Sequence, residues 1–144
     1  DADLGLHHFR YALLLHQGEK DVSEVVRAAE TFNTPVLVHG ALENTVMDRL
    51  PLDPGVYFAV MDNPDLTLET VKLAENGNDV IMRIFEHSNR RSAGRLQFAM
   101  TVSQVTETDL MERTSGKSYE IADNGLDLSF RPFEIKTLRV TIDR

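Results

Sequence analysis

The strongest constraint on this chain is a two-residue alternation of apolar and polar side chains that recurs in six runs. His7, Phe9, Tyr11, Leu13 and Leu15 share one face of an extended segment, and Val56, Phe58 and Val60 repeat the pattern. Leu66 and Leu68 open a third run. Val80, Met82 and Ile84 form a fourth, with Ile81, Arg83 and Phe85 on the reverse face. Leu96, Phe98, Met100 and Val102 make a fifth, and Leu126, Leu128 and Phe130 a sixth. Successive side chains of a strand point to opposite faces, so each run has a core face and a wet face. Half-wet strands belong to antiparallel sheets, because parallel sheets are covered on both sides.

The connections fit hairpins. Glu75-Asn76-Gly77-Asn78-Asp79 separates two runs, and Asp123-Asn124-Gly125 precedes the sixth. Asn-Gly supplies the positive φ angles that tight hairpin turns require. Pro132 ends or kinks the sixth run, since proline has no N–H for a central ladder. The segment Glu134 to Asp143 is again β-rich, and its alternation slips near Thr137, which fits either a bulge or a strand buried on both faces. One helix is expected. Asp21 and Glu24 have capping-box spacing, Val22, Val25, Val26, Ala29 and Phe32 trace a helical stripe, and Asn33-Thr34-Pro35 stops it. Residues 40–54, with Gly40, Pro51 and Pro54, have the composition of a long loop, and there is no internal repeat. The expected fold is mostly β: an antiparallel β-sandwich with one short helix, a single segment spanning residues 1–144.

Composition narrows the function. With 15 basic and 23 acidic side chains the formal charge is −8, the wrong sign for a nucleic-acid binder, which needs clustered Lys and Arg. No cysteines means no disulfide and no thiolate chemistry. No apolar run approaches the roughly 20 residues of a membrane helix, and no basic-then-apolar leader opens the sequence. Neither nucleic acid nor membrane is therefore an expected partner, and a cytoplasmic location is the expectation.

Three groups of side chains invite a chemical reading. His7, His8 and His16 form an amino-terminal histidine cluster. On a strand His7 and His8 face opposite ways, and His8 and His16 lie roughly 26 Å apart, too far for one metal ion. Paired carboxylates are the second group, because glycosidases hold two carboxyls about 5–5.5 Å apart when retaining and about 6.5–9.5 Å apart when inverting. Glu107 and Asp109 would share a face, whereas Asp62 and Asp65 flank a turn and Glu75 and Asp79 bracket a hairpin. Arg90, Arg91 and Arg95 are the third group. Their guanidinium groups could hold a carboxylate, reach a sugar or bridge to another domain, or simply solubilise a hairpin tip. No phosphate loop, nucleophile elbow or paired metal-binding histidine motif occurs, so no catalytic residue and no metal ligand is assigned.

Three ordered stretches resemble the C-terminal part of glycoside hydrolase family 38, the zinc-dependent α-mannosidases. Asp1-Ala2-Asp3-Leu4-Gly5-Leu6-His7-His8-Phe9-Arg10-Tyr11-Ala12-Leu13 is similar to the family's Asp-x-Gly-x-His-x-Phe-x-Tyr-Ala-Leu segment, with Leu15 where proline is common. Leu68 to Glu75, followed by Asp79-Val80-Ile81-Met82-Arg83-Ile84-Phe85-Glu86, resembles a Lys-x-Ala-Glu hairpin leading into an Ile-x-Arg-x-Tyr-Glu strand, with Phe85 in place of Tyr. Phe130-Arg131-Pro132-Phe133-Glu134-Ile135-Lys136-Thr137-Leu138 resembles the family's Pro-Phe-Glu-Ile-Lys-Thr-Leu signature. The resemblance implies a C-terminal β-sandwich fragment of a larger multidomain enzyme. The parent would hydrolyse α-mannosides by a retaining double displacement, with an aspartate nucleophile and a zinc ion in a catalytic domain upstream. The fragment itself would be an inactive accessory domain, buttressing the catalytic domain of the same chain or lining its cleft, with no cofactor of its own. His7 to Leu15 and residues 40–54 are its candidate docking faces, and a homo-oligomer is a further expectation. Two other readings stay open. One is a stand-alone carbohydrate-binding or protein-interaction module, and the other is an autonomous hydrolase using Glu107 and Asp109.

Overall fold

A computed structural model of the chain describes residues 4–19, 21–34 and 57–143. The chain forms two compact units, Asp1–Val38 and His39–Arg144. The expected loop at 40–54 lies outside the described residues.

In the first unit, helix α1 spans Val22–Asn33. Asp21 caps it in an extended conformation, its Oδ1 accepting the Ser23 N–H at 2.9 Å, and Thr34 leaves the helix before Pro35. The expected strand around His7 to Leu15 has no strand partner among the described residues. Its alternate residues Phe9, Tyr11, Leu13 and Leu15 are all more than four-fifths exposed. A strand exists only when a neighbour takes its hydrogen bonds, so alternation alone gives an extended segment. The apolar stripe of α1 fares little better. Only Ser23 is buried in the helix, since a unit this short encloses almost no core.

The second unit is a sandwich of two antiparallel sheets. Strands β1 (Ala59–Met61), β4 (Ser92–Phe98) and β7 (Gly125–Phe130) form a three-stranded sheet in the order β1-β4-β7. Strands β2 (Leu66–Leu73), β3 (Val80–Glu86), β5 (Val102–Thr108), β6 (Thr114–Tyr119) and β8 (Ile135–Ile142) form a five-stranded sheet in the order β2-β3-β8-β5-β6. Their inner faces meet in one core that includes Val80, Met82 and Ile84 of β3, Leu96 and Phe98 of β4, Leu126, Leu128 and Phe130 of β7, and Leu138 and Val140 of β8. The mostly-β sandwich with one helix is therefore the observed architecture.

Two details differ from the alternation pattern for identifiable reasons. The run Leu96 to Val102 is two strands in two sheets, because the chain turns the sandwich corner at residues 99–101. Asn124 fastens that corner: its Nδ2 donates to the Phe98 and Met100 carbonyls, and its Oδ1 accepts the Val102 N–H. It does so from a two-residue turn whose central pair, Asp123 and Asn124, both have positive φ and whose flanks, Ala122 and Gly125, exchange two hydrogen bonds. The strands on either side, β6 and β7, lie in different sheets, so this turn links the sheets and is not the hairpin that Asn124-Gly125 suggested. The slip near Thr137 is explained by position. Strand β8 is paired on both edges, with β3 and β5, so Lys136, Thr137 and Leu138 are buried in succession.

Candidate functional site

The connections β1–β2, β3–β4 and β7–β8 meet at one end of the sandwich, and a single buried carboxylate joins two of them. Glu86, the last residue of β3, is 1% exposed. Its Oε1 accepts the backbone N–H groups of Ser88 (2.7 Å) and Arg90 (3.4 Å), and its Oε2 those of Asn89 (3.1 Å) and Phe133 (2.9 Å). Burial pushes this carboxyl upward, but the four amide donors outweigh it and hold it below the ordinary carboxylate range. The Glu86 N–H in turn donates to the Glu134 carbonyl at 3.0 Å.

Around this centre lie further charge pairs. Asp65 accepts from Arg90 Nη2 at 2.5 Å and from Ser88 Oγ at 2.9 Å. His87 Nδ1 stands 3.2 Å from Thr67 Oγ1, and its ring meets Phe85 edge-on. Glu134 accepts the Arg131 N–H at 2.7 Å and pairs with Lys136 at 3.3 Å. Burial raises the Glu134 carboxyl and these partners bring it below its usual range. The turn from Arg131 to Glu134 is closed by the Glu134 N–H to the Arg131 carbonyl, with Pro132 second and Phe133 third at φ +57°. That third position ordinarily belongs to glycine. Phe133 holds it with 62% of its surface exposed.

The three arginines singled out in the sequence do not stand together. Arg90 and Arg91 lie in the β3–β4 connection, whereas Arg95 is inside β4. Arg95 donates to the Ala122 carbonyl and pairs with Asp127 at 3.5 Å. Glu86 instead ties the β3–β4 connection, which carries Arg90 and Arg91, to the turn that begins at Arg131. Glu86, Asp65 and Phe133 escaped the sequence analysis as members of a single site. The available sign was that Phe85-Glu86 closes one motif stretch and Pro132-Phe133-Glu134 opens another.

The paired carboxylates are occupied by structural tasks. Glu107 accepts the Tyr119 hydroxyl and pairs with Lys117 at 3.2 Å and Lys136 at 3.8 Å. Burial raises its carboxyl, and Tyr119, Lys117 and Lys136 bring it below the usual range. Tyr119 itself is pushed up to about 12 by burial and by the carboxylate it faces. Asp109 Oδ1 accepts the N–H groups of Met111 and Arg113, closing the β5–β6 turn. Asp62 accepts the Arg95 N–H, and the carboxyl groups of Glu75 and Asp79 pair with Lys72 and Arg139. Among the described residues no group of three His, Cys, Asp or Glu side chains could hold a metal ion. A zinc site therefore does not fit them, and no chemical step is assigned to them.

Comparison with known proteins places this arrangement. The chain is 30% identical to Alpha-mannosidase 2C1 of Homo sapiens over 145 residues, which cover 98% of this chain and 13% of that protein. It is 23% identical to Alpha-mannosidase G of Dictyostelium discoideum, covering 95% of this chain and 12% of that protein. It is also 23% identical to Alpha-mannosidase of Saccharomyces cerevisiae (strain ATCC 204508 / S288c), covering 96% of this chain and 14% of that protein. The chain thus spans between 12% and 14% of the length of these curated relatives. Residues 65–138, from the Asp65 that holds Arg90 through Leu138 of β8, match the family described as "Glycosyl hydrolases family 38 C-terminal beta sandwich domain", and the chain belongs to that family.

Proposed function

We propose that this chain is the C-terminal accessory domain of a zinc-dependent, retaining α-mannosidase. Its task is to support, and along one edge to line, a catalytic domain of the same polypeptide. The observation that carries the reading is the likeness to α-mannosidases over nearly the whole chain, although the chain is a small fraction of their length. The parent would hydrolyse α-mannosides, with zinc and the nucleophile held outside these residues. The carboxylates described above support this division. Each is engaged by backbone amides or cations of its own domain, which stiffens a scaffold but leaves no pair facing across an open cleft. The first unit supports it too. The exposed apolar face of Phe9, Tyr11, Leu13 and Leu15, and the open groove lined by Leu13, Leu14, Val25 and Phe32, offer surface to the remainder of the parent.

The test compares hydrolysis of an aryl α-mannoside by the full parent polypeptide and by the 144-residue chain. Turnover by the parent and none by the chain is the expected pair of results. Turnover by the chain alone would restore the autonomous hydrolase. A chain that titrates with free mannosides, beside a parent that hydrolyses none, would make it a binding module.

A further inference from the structure

We infer that the Phe133 turn is the anchor by which this domain docks into the remainder of its own polypeptide. The socket it enters there would be apolar with a rim of hydrogen-bond acceptors. The inference rests on the reading of the chain as part of a longer mannosidase and adds which surface makes the contact. Phe133 occupies a turn position that suits glycine, at φ +57°, and its ring is more than half exposed. A bulky residue in the left-handed region is strained, and it persists only where the surroundings over-determine it. Here the determinant is Glu86, a buried carboxylate that spends one of its four accepted hydrogen bonds on the Phe133 N–H. The turn would form more easily with glycine, so the phenyl ring serves something other than the turn.

Its surroundings have the makeup of an interface centre. Ile135, 57% exposed, lies two residues on and pairs across the sheet with Phe85, so further apolar surface adjoins at the same end. Arg90, Arg91 and Arg131 stand on the two turns that Glu86 joins. The side chains of Arg90 and Arg131 are 62% and 74% exposed while also pairing with Asp65 and Glu134. Aromatic residues and arginine are the side chains enriched where protein surfaces bind most tightly. Beyond their pairs with Asp65 and Glu134, Arg90 and Arg131 keep most of their side-chain surface exposed, and with Arg91 on the same turn as Arg90 their N–H edges suit oxygen acceptors opposite. The curated relatives carry more than six times this chain's length in the same polypeptide, which supplies a partner at high effective concentration. That favours the same polypeptide over a second copy as the occupant.

Photocrosslinking in the full parent polypeptide tests this directly, with p-benzoylphenylalanine in place of Phe133 and, as a control, in place of the exposed Val71. Crosslinks from position 133 to residues outside the 144-residue segment of the same molecule are expected, with none from position 71. Crosslinks to a second copy, or none from 133, would overturn the proposal. Phe133→Gly supplies a second readout of opposite sign in the two contexts. In the 144-residue chain the thermal midpoint should hold or rise, because glycine suits the turn. In the parent, amide exchange at residues 88–90 and 133 should accelerate at least tenfold. Unchanged exchange in the parent would contradict the anchor. Mannoside hydrolysis by the wild-type parent is read separately, so a parent without that activity would refute the enzymatic reading while the crosslinks still report the dock.

Discussion

Glu86 accepts four backbone N–H bonds from two separate connections, and its replacement should show what they hold together. Glu86→Gln keeps the shape but turns a charged acceptor of four amide hydrogen bonds into a neutral one with a single oxygen. The expected loss is about 2–4 kcal/mol, because hydrogen bonds to charged groups are worth more and buried donors left unpaired are costly. Urea unfolding at neutral pH measures it. The same carboxylates set the pH response. Glu86, Glu107 and Glu134 all titrate below their ordinary value of 4.5 in the folded chain. The stability they contribute is therefore complete above about pH 4.5 and is lost as pH falls through their lowered folded values. Tyr119 acts at the other limit. Its hydroxyl is raised from 10.0 to about 12, so its contribution is complete below pH 10 and is lost as pH rises towards 12. A pH series of thermal midpoints should show both limbs, and Tyr119→Phe should flatten the alkaline one while also weakening the acid one, because the Tyr119 hydroxyl helps to hold Glu107 below its usual range. Asn124→Gly tests a different link. Glycine keeps the positive φ but removes three side-chain hydrogen bonds at the sandwich corner, for an expected cost of about 1–3 kcal/mol by the same unfolding assay.

At the scale of elements, close approaches of backbone decide what the strands tolerate. A Cβ on Gly94 would stand 2.9 Å from Asn63 Cβ and Asp62 Oδ1, where the β1–β2 turn folds against β4. Gly94→Ala should therefore destabilise by about 1–3 kcal/mol. The exposed Gly77→Ala should be strained only by its φ of +89°, and should cost about 1 kcal/mol. Paired denaturation curves separate the two causes. Alternation made most strands legible in the sequence, and the Asn76-Gly77 turn made the β2–β3 hairpin so. It could not reveal that Leu96 to Val102 changes sheets, since the side chains stay apolar through the corner and only Asn124, distant in sequence, fastens the break. It also mistook the segment at His7 to Leu15, because alternation records which face a strand would bury and not which neighbour would pair with it. The arginine grouping failed for a related reason. Sequence spacing places Arg95 beside Arg90 and Arg91, whereas β4 carries it along the strand to Ala122 and Asp127.

For the whole molecule, the proposed division of labour rests on where charge and apolar surface lie. The second unit has a closed core and carboxylates committed to its own amides and cations, the properties of a support. The first unit leaves a row of large apolar side chains exposed, the property of a surface awaiting a neighbour. The family was legible from three short motifs in order. The Glu86 site was not, because its members are scattered through the sequence and only the folded sheets bring Phe133 to Glu86. The central claim is that this chain supports α-mannoside hydrolysis without performing it. The most direct measurement is the rate of aryl α-mannoside hydrolysis by the full parent polypeptide beside that of the 144-residue chain under the same conditions. Turnover by the parent is expected, with none above the uncatalysed rate for the chain. Equal turnover by the chain alone would contradict the claim.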